Sequence, residues 1–180
     1  MKFCSNCGRE VSLSIPPGDH LPRYVCGACG IIHYQNPKIV AGCVAEWQRE
    51  ILICKRAIEP RAGFWTLPAG FMENGETTEA AAARETAEEA MAEAVDLKPF
   101  ALVNVPHVDQ VHLLFRGMLK DGRHAPGAES LDTRLVQETD IPWEEIAFPS
   151  IRFTLERYFE DRRLGRFGFH ITTWHKGALR

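Results

Sequence analysis

The stretch GFMENGETTEAAAARETAEEAMA, Gly70 to Ala92, decides the fold. From Thr78 on it is rich in Ala and Glu and free of Gly and Pro, which predicts a helix. At helical spacing Glu85, Glu88 and Glu89 stand at i, i+3 and i+4, so their carboxylates share one face. Ala80, Ala83, Ala87, Ala90 and Ala94 fall on the opposite face. That stripe is too small to build a core but lets a helix lie close against a sheet. The expectation is a helix pressed in by its alanines to present its acids.

An ordinary solvated acidic helix is the alternative. Against it, Glu85 and Glu89 are like charges at i,i+4, which destabilise an isolated helix by about 0.2–0.5 kcal/mol. Arg84 can offset part of this by pairing with Glu88, but one cation does not neutralise three acids. Clustered oxygen ligands suit Mg²⁺ or Mn²⁺, hard ions that also bind substrate phosphates.

The full pattern narrows the choice. Gly70, five residues, Glu76, seven residues, then Arg84-Glu85-x-x-Glu88-Glu89 resembles the box of Nudix hydrolases, which cleave nucleoside diphosphates linked to another group. The approach Phe64-Trp65-Thr66-Leu67-Pro68-Ala69 is similar to that family's as well. Two positions depart from it. Thr86 stands where an aliphatic residue is usual, and Met91 stands where the family has Gly. A Gly there ends a helix in a left-handed conformation, which costs a residue with a Cβ about 1 kcal/mol. The helix therefore either ends in a strained cap at Met91 or runs on through Ala94.

The chain has 180 residues, 45% hydrophobic and 25% charged, enough for one core and a small appendage. A net charge of −3 advertises neither nucleic acid nor anionic membrane as a partner. Neither a run of ~18 apolar residues nor a secretory signal is visible, which predicts no membrane association and a cytoplasmic setting, or an organelle after transit-peptide removal.

Cys4-x-x-Cys7 and Cys26-x-x-Cys29 read as a four-cysteine zinc site, structural because thiolates fill all four positions. Two disulfides or a redox pair are the alternatives; the first needs an oxidising compartment and the second lacks a βαβ context. Residues 1–37 carry nearly balanced charge, which argues against a phosphate footprint and so against nucleic acid. Tyr34-Gln35-Asn36-Pro37 is the expected boundary, giving a zinc ribbon over 1–37 and a second domain over 38–180.

In the second domain Lys38–Glu46 and Ile51–Lys55 read as strands around a turn near Gln48-Arg49-Glu50. Cys43 and Cys54 within them read as buried, inert thiols. Further strands are expected over Phe100–Pro106, Val111–Leu119 and Thr133–Glu138, with Asp140-Ile141-Pro142 turning into a short helix. Ser150–Arg163 repeats Ile151, Leu155, Tyr158 and Phe159 at helical spacing, with Ser150 as N-cap candidate and Gly165 as terminator. Phe167–Thr173 is a closing strand or the arm of a homodimer. This order is consistent with the α/β/α sandwich around a mixed sheet that the resemblance implies.

The resemblance covers nearly the whole chain and is similar to ribbon-bearing bacterial members and to the plant chloroplast pyrophosphatase acting on FAD and ADP-ribose. It implies a Mg²⁺- or Mn²⁺-dependent enzyme that releases AMP. Glu85, Glu88 and Glu89 would hold the metal, with Glu129 from a loop as a further ligand or base, against a solvated loop glutamate. Glu89 or Glu129 would take the proton of the attacking water. Arg84 would orient the acids, Glu76 would anchor the loop, and Gly70 would let backbone approach the metal. Arg56 and Arg61 stand where they can meet substrate phosphate, with a surface arginine as the alternative. His107, His112 and His124 are loose candidates for substrate contact. Trp65, Trp143 and Phe148 are candidates for adenine stacking or core. Ribbon-bearing NADH pyrophosphatases carry a Ser-Gln-Pro-Trp-rich motif after the box. Here that region reads Val105-Pro106-His107-Val108-Asp109-Gln110, which disfavours NADH. The alternative from another class is a non-catalytic module that senses a nucleotide or, through its ribbon, nucleic acid, for which loss of box glutamates would speak; every one is present.

Overall fold

The computed structural model describes residues 1–175, and the chain divides into two compact units, Met1–Pro37 and Lys38–Arg180. The first is a three-stranded antiparallel sheet in the order β1 (Val11–Ser14), β2 (Arg23–Cys26), β3 (Ile32–His33). Its two Cys-x-x-Cys turns are built alike. The N–H of Gly8 donates to the Cys4 carbonyl at 2.9 Å, and that of Gly30 to Cys26 at 2.8 Å. Both glycines have φ near +72°, a conformation that costs a residue with a Cβ about 1 kcal/mol or more.

The second unit is built on strands β4 (Lys38–Trp47), β5 (Glu50–Arg56), β6 (Trp65–Thr66) and β7 (Ala69–Phe71), followed by helix α1 (Thr78–Ala90). Then come β8 (Ala94–Val105), β9 (Gln110–Leu119) and β10 (Ser130–Val136), helix α2 (Pro149–Leu164) and β11 (His170–Thr173). The sheet runs β10-β5-β4-β9-β8-β11 and is mixed, with β4 parallel to β9 and β8 parallel to β11. β4 and β5 pair only next to their turn, at Glu46–Ile51 and Trp47–Glu50, and then diverge. β6 fills the fork against β5 and β7 fills it against β4. The approach to the box is thus stitched into the sheet.

Period-two alternation divides the core. Val44, Ile51, Ile53 and Leu114 pack with Ile151, Leu155, Tyr158 and Phe159 of α2. Cys43, Ala45, Leu52 and Cys54 pack with Ala90, while Ala41 and Phe115 pack with Ala81 and Ala82 of α1. The two helices therefore cover opposite faces, which makes the expected α/β/α sandwich. None of the three apolar clusters includes a ribbon residue.

Several expectations are corrected. The buried face of α1 is Ala81, Ala82, Glu85, Thr86, Glu89 and Ala90, whereas Ala80 and Ala87 are exposed. Two of the acids are thus pressed inward with the packing face rather than held opposite to it. Thr86, fully buried, satisfies its hydroxyl by donating to the Ala82 carbonyl at 2.8 Å. The helix ends at Ala90 with Met91 left-handed at φ 49°, and Ala94 opens β8 instead of extending the helix. Phe148, not Ser150, is the N-cap of α2, because Pro149 suits the first helical position. Of the two readings of 167–173 the closing strand is the one seen: His170–Thr173 forms β11 on the edge of its own chain's sheet, tied to α2 by His170 and Gly168 on Asp161.

Candidate functional sites

Thr77 caps α1 by accepting from the Ala80 N–H at 3.2 Å. About two turns later Arg84 organises the box. Its Nε and Nη2 donate to the two oxygens of Glu76 at 3.1 and 2.7 Å. Nη2 also reaches the Phe71 carbonyl at 3.1 Å, and Nη1 reaches Glu85 Oε1 at 2.7 Å and Glu88 Oε2 at 2.9 Å. All five guanidinium donors are thereby used inside the box, so Arg84 positions the acids and has no donor left for a substrate. Glu76 Oε1 also accepts from the Glu73 N–H at 2.5 Å, closing the loop before the helix.

Gly70 lies directly against Glu85. A Cβ added there would stand 2.4 Å from the Glu85 carboxyl carbon, so only glycine leaves that acid its place. Glu89 Oε2 accepts from the Ala69 N–H at 3.1 Å. Burial pushes the Glu89 carboxyl up to about 7, helped by the charges of Glu85 and Glu129 and opposed by the Ala69 N–H and Arg56. Burial likewise raises Glu85, against the pull of Arg84. Glu129 is close enough to act on both, although its own side chain is exposed. Its loop is fastened to the end of α1, where Ala125 and Gly127 donate to the carbonyls of Ala90 and Glu89 at 2.9 and 3.0 Å.

These groups line one cleft of about 850 Å³, with Glu85, Glu88, Glu89, Glu129, Arg84, Gly70 and Arg56 in its walls. The lining also includes Val105, His107, Gln110, His112, Phe148 and Trp174. Arg56 is held by the Pro60 carbonyl at 3.0 Å and lies over the Phe148 ring. Arg61, expected near phosphate, does not line the cleft; its guanidinium lies over the Phe64 ring. His124 bonds Thr133 away from the cleft, and Trp65 and Trp143 belong to the core beside α2. Cys43 and Cys54 are buried with their thiols pushed far up by desolvation, as inert residues should be. The sequence reading missed Gln110, Ser150 and Trp174 as part of the cleft.

The donor set of the box is all carboxylate, which fits a hard divalent cation, and buried like charges are what such an ion relieves. The acids do not converge on one point: Glu85 and Glu88 turn to Arg84 and Glu89 to Ala69. The four cysteines do converge. Among the described residues they are the one group of potential ligands whose donor atoms all lie within 4.8 Å of one another. Cys4–Cys29 and Cys7–Cys26 sulfurs stand 3.7 and 3.5 Å apart, close to the about 3.8 Å that tetrahedral bonds of 2.3 Å require. The thiols are free, so the disulfide alternative fails. Backbone N–H groups of Cys29 and Ala28 bring Cys26 down to about 6. The Arg9 N–H pulls Cys7 down, but its sulfur neighbours outweigh it and push that thiol up to about 12. Four sulfurs so close cannot all ionise without a cation among them.

The comparisons agree with this picture. The family described as Nudix N-terminal, a zinc ribbon, matches residues 2–35, and the NUDIX domain family matches residues 36–156. A crystal structure of a NUDIX hydrolase from Nitrosomonas europaea is 52% identical, covers 97% of this chain and 100% of its own, and superposes with a TM-score of 0.91. The NAD-capped RNA hydrolase NudC of Stutzerimonas stutzeri is 28% identical over 92% of this chain and 58% of its own length. The ADP-ribose pyrophosphatase of Methanocaldococcus jannaschii is 41% identical over 31% of this chain and 33% of its own. The chain thus spans little more than half, or about a third, of these curated relatives. No described helix is long and apolar enough to cross a membrane. With the box intact on the sandwich and the domain matched through residues 36–156, the chain belongs to the Nudix hydrolase family.

Proposed function

We propose that this chain is a Mg²⁺- or Mn²⁺-dependent pyrophosphatase that splits a nucleoside diphosphate linked to another group, ADP-ribose or FAD first, and releases AMP. The observation that carries this reading is the set of inward-pressed glutamates opening onto a cleft large enough for a dinucleotide. Glu85, Glu88, Glu89 and Glu129 would hold the ion, which when bound supplies positive charge against the diphosphate oxygens and acidifies water. Glu89 Oε1, the oxygen not taken by Ala69, is the acceptor for the attacking water's proton, with Glu129 as the alternative. A carboxylate tuned near neutrality suits that work. Arg56, held at the cleft by Pro60, supplies a cation for phosphate. Phe148 and Trp174 supply apolar walls for the rings.

A second reading, an NAD-type dinucleotide as substrate, is favoured by the NudC relative that matches over 92% of this chain. The absence of the Ser-Gln-Pro-Trp pattern weighs against it. In the ribbon we infer one structural Zn²⁺ on Cys4, Cys7, Cys26 and Cys29. Free thiols fit a cytoplasmic setting, and a homodimer is expected, to be checked by sedimentation. The test of the activity is AMP release from ADP-ribose, FAD and NADH with Mg²⁺. Wild type should turn over at least one of them, and Glu89→Gln should lose two or more orders of magnitude in kcat. No AMP from any substrate, or near-normal turnover by Glu89→Gln, would overturn the mechanism.

A further inference from the structure

Elsewhere in the cleft lining, three polar side chains form a chain of their own. His112 Nδ1 lies 2.9 Å from Ser150 Oγ, and His112 Nε2 lies 3.0 Å from Gln110 Oε1. Ser150 is buried at 3% exposure, while Gln110 and His112 are half-buried, and all three line the cleft. Burial lowers the imidazole's pKa, so it is neutral and carries one proton. An amide oxygen only accepts, so that proton sits on Nε2 and points at Gln110. Nδ1 then accepts from the Ser150 hydroxyl. With Oε1 engaged by the imidazole, the free edge of the Gln110 amide is its two N–H donors.

The sheet fixes how far this edge stands from the box. Phe71, whose carbonyl Arg84 holds, pairs with Val40, and Val40 pairs with His112. Two strand spacings separate the backbones of Phe71 and His112, about 10 Å. Gln110 lies two residues along the same strand and so on the same face. That is the reach from a diphosphate into one of the organic halves it joins. N–H donors fit a hydroxyl or carbonyl oxygen, which the far half offers. An adenine edge sets a ring-nitrogen acceptor beside a donating amino group, and a glutamine reads such an edge with its oxygen as well as its N–H; here that oxygen is taken by His112.

We propose that Gln110 selects the half of the substrate on the far side of the diphosphate from the adenylate, by donating to an oxygen of that half, and that His112 and Ser150 are positioning residues that aim its amide. This inference rests on the pyrophosphatase reading above. It makes discrimination between leaving halves a property of residues outside the box.

The test compares kcat/KM for ADP-ribose, NADH and the methyl ester of ADP, which keeps the adenylate and diphosphate but lacks a far half. Gln110→Ala should reduce the preference for ADP-ribose over the methyl ester about tenfold, chiefly through KM, the loss expected for one buried hydrogen bond. Gln110→Glu, which replaces the donors by a carboxylate, should reduce it further. Ser150→Ala should act in the same direction but less, with melting temperature monitored to exclude general loosening. If the preference over the methyl ester falls for ADP-ribose and NADH alike, a sugar oxygen is the target. If it falls for NADH alone, the carboxamide is. The proposal is overturned if the variants change both partners of each comparison equally. It is also overturned if they alter the preference for ADP-ribose over its hypoxanthine counterpart instead, which would make Gln110 a reader of the base. Wild-type protein that hydrolyses none of the compounds would defeat the pyrophosphatase reading, and this inference with it.

Discussion

The ribbon and the box both gather groups that repel one another, and they do so by opposite means. In the ribbon four sulfurs meet at the ends of two glycine turns, with no guanidinium or ammonium bonded to them among the described residues, only the His33 ring at 3.2 Å from Cys4 Sγ, and no apolar cluster in the unit. In the box a guanidinium with all five donors engaged stands among the acids, and the helix that carries them sits on a sheet with a packed core on both faces. The box carries its own counter-ion in Arg84. On the zinc reading the ribbon would borrow its counter-ion, and its order would then depend on it.

The largest effect that should follow is on the ribbon. Stripping the metal with a chelator, or making Cys26→Ser, should abolish amide protection over residues 1–37, because binding energy of a structural zinc is folding energy. Residues 38–175 should keep their hydrogen-exchange protection, and metal analysis of untreated protein should give about one zinc per chain. A ribbon that stays protected after complete metal removal would erase the contrast.

Next in size is the loss of the internal counter-ion. Arg84→Ala leaves Glu76, Glu85 and Glu88 without their shared partner and should cost about 3 kcal/mol in metal-free urea denaturation. Added Mg²⁺ should return part of this by binding the native state alone. Equal stability of variant and parent would mean that the box needs no cation of its own.

Glu89 gives a pH-dependent effect of similar size. Burial pushes its carboxyl up to about 7 against 4.5 for the ordinary group. The native state therefore binds that proton more tightly than the unfolded chain. Its contribution to stability is whole below pH 4.5 and falls away as pH rises through 7, by about 3 kcal/mol. Glu89→Gln keeps the neutral form at every pH. The variant should match wild type near pH 4 and exceed it by about 3 kcal/mol at pH 8. A difference that stays constant from pH 4 to 8 would refute the burial argument.

The smallest effect concerns Met91, an exposed residue in the left-handed region at φ 49°. Met91→Gly should raise stability by up to about 1 kcal/mol, less whatever the freer unfolded chain takes back. A shift of about 2–4 °C in Tm is the readout, and a lowered Tm would contradict a strained cap.

Spacing along one helix made the box legible, because Arg84, Glu85, Glu88 and Glu89 are neighbours in sequence before they are neighbours in space. The cysteine pairs were legible for the same reason. Which face of α1 turns inward was not, since alanines occur all round it and the deciding partner is the backbone at Gly70. Ser150 looked like a helix cap by residue type, yet Pro149 moved the cap back to Phe148 and the hydroxyl turned to His112. That contact joins residues 38 apart, on a strand and a helix. The one signal available was Gln110 and His112 alternating into the row of Leu114, where an apolar residue would be ordinary.

The clamp on the end of α1 also determines where this protein can change length. Ala125 and Gly127 are fastened to α1, Ala57 donates to the Glu129 carbonyl, and a Cβ on Gly127 would fall 1.7 Å from the Glu88 oxygen. An insertion between Ala125 and Glu129 would displace an acid and a helix terminus together. Residues 121–124, outside the clamp, carry no such tether to α1. Length variation among descendants of this chain, and peptide tags placed by an engineer, should therefore settle between Asp121 and His124 and stop short of Ala125.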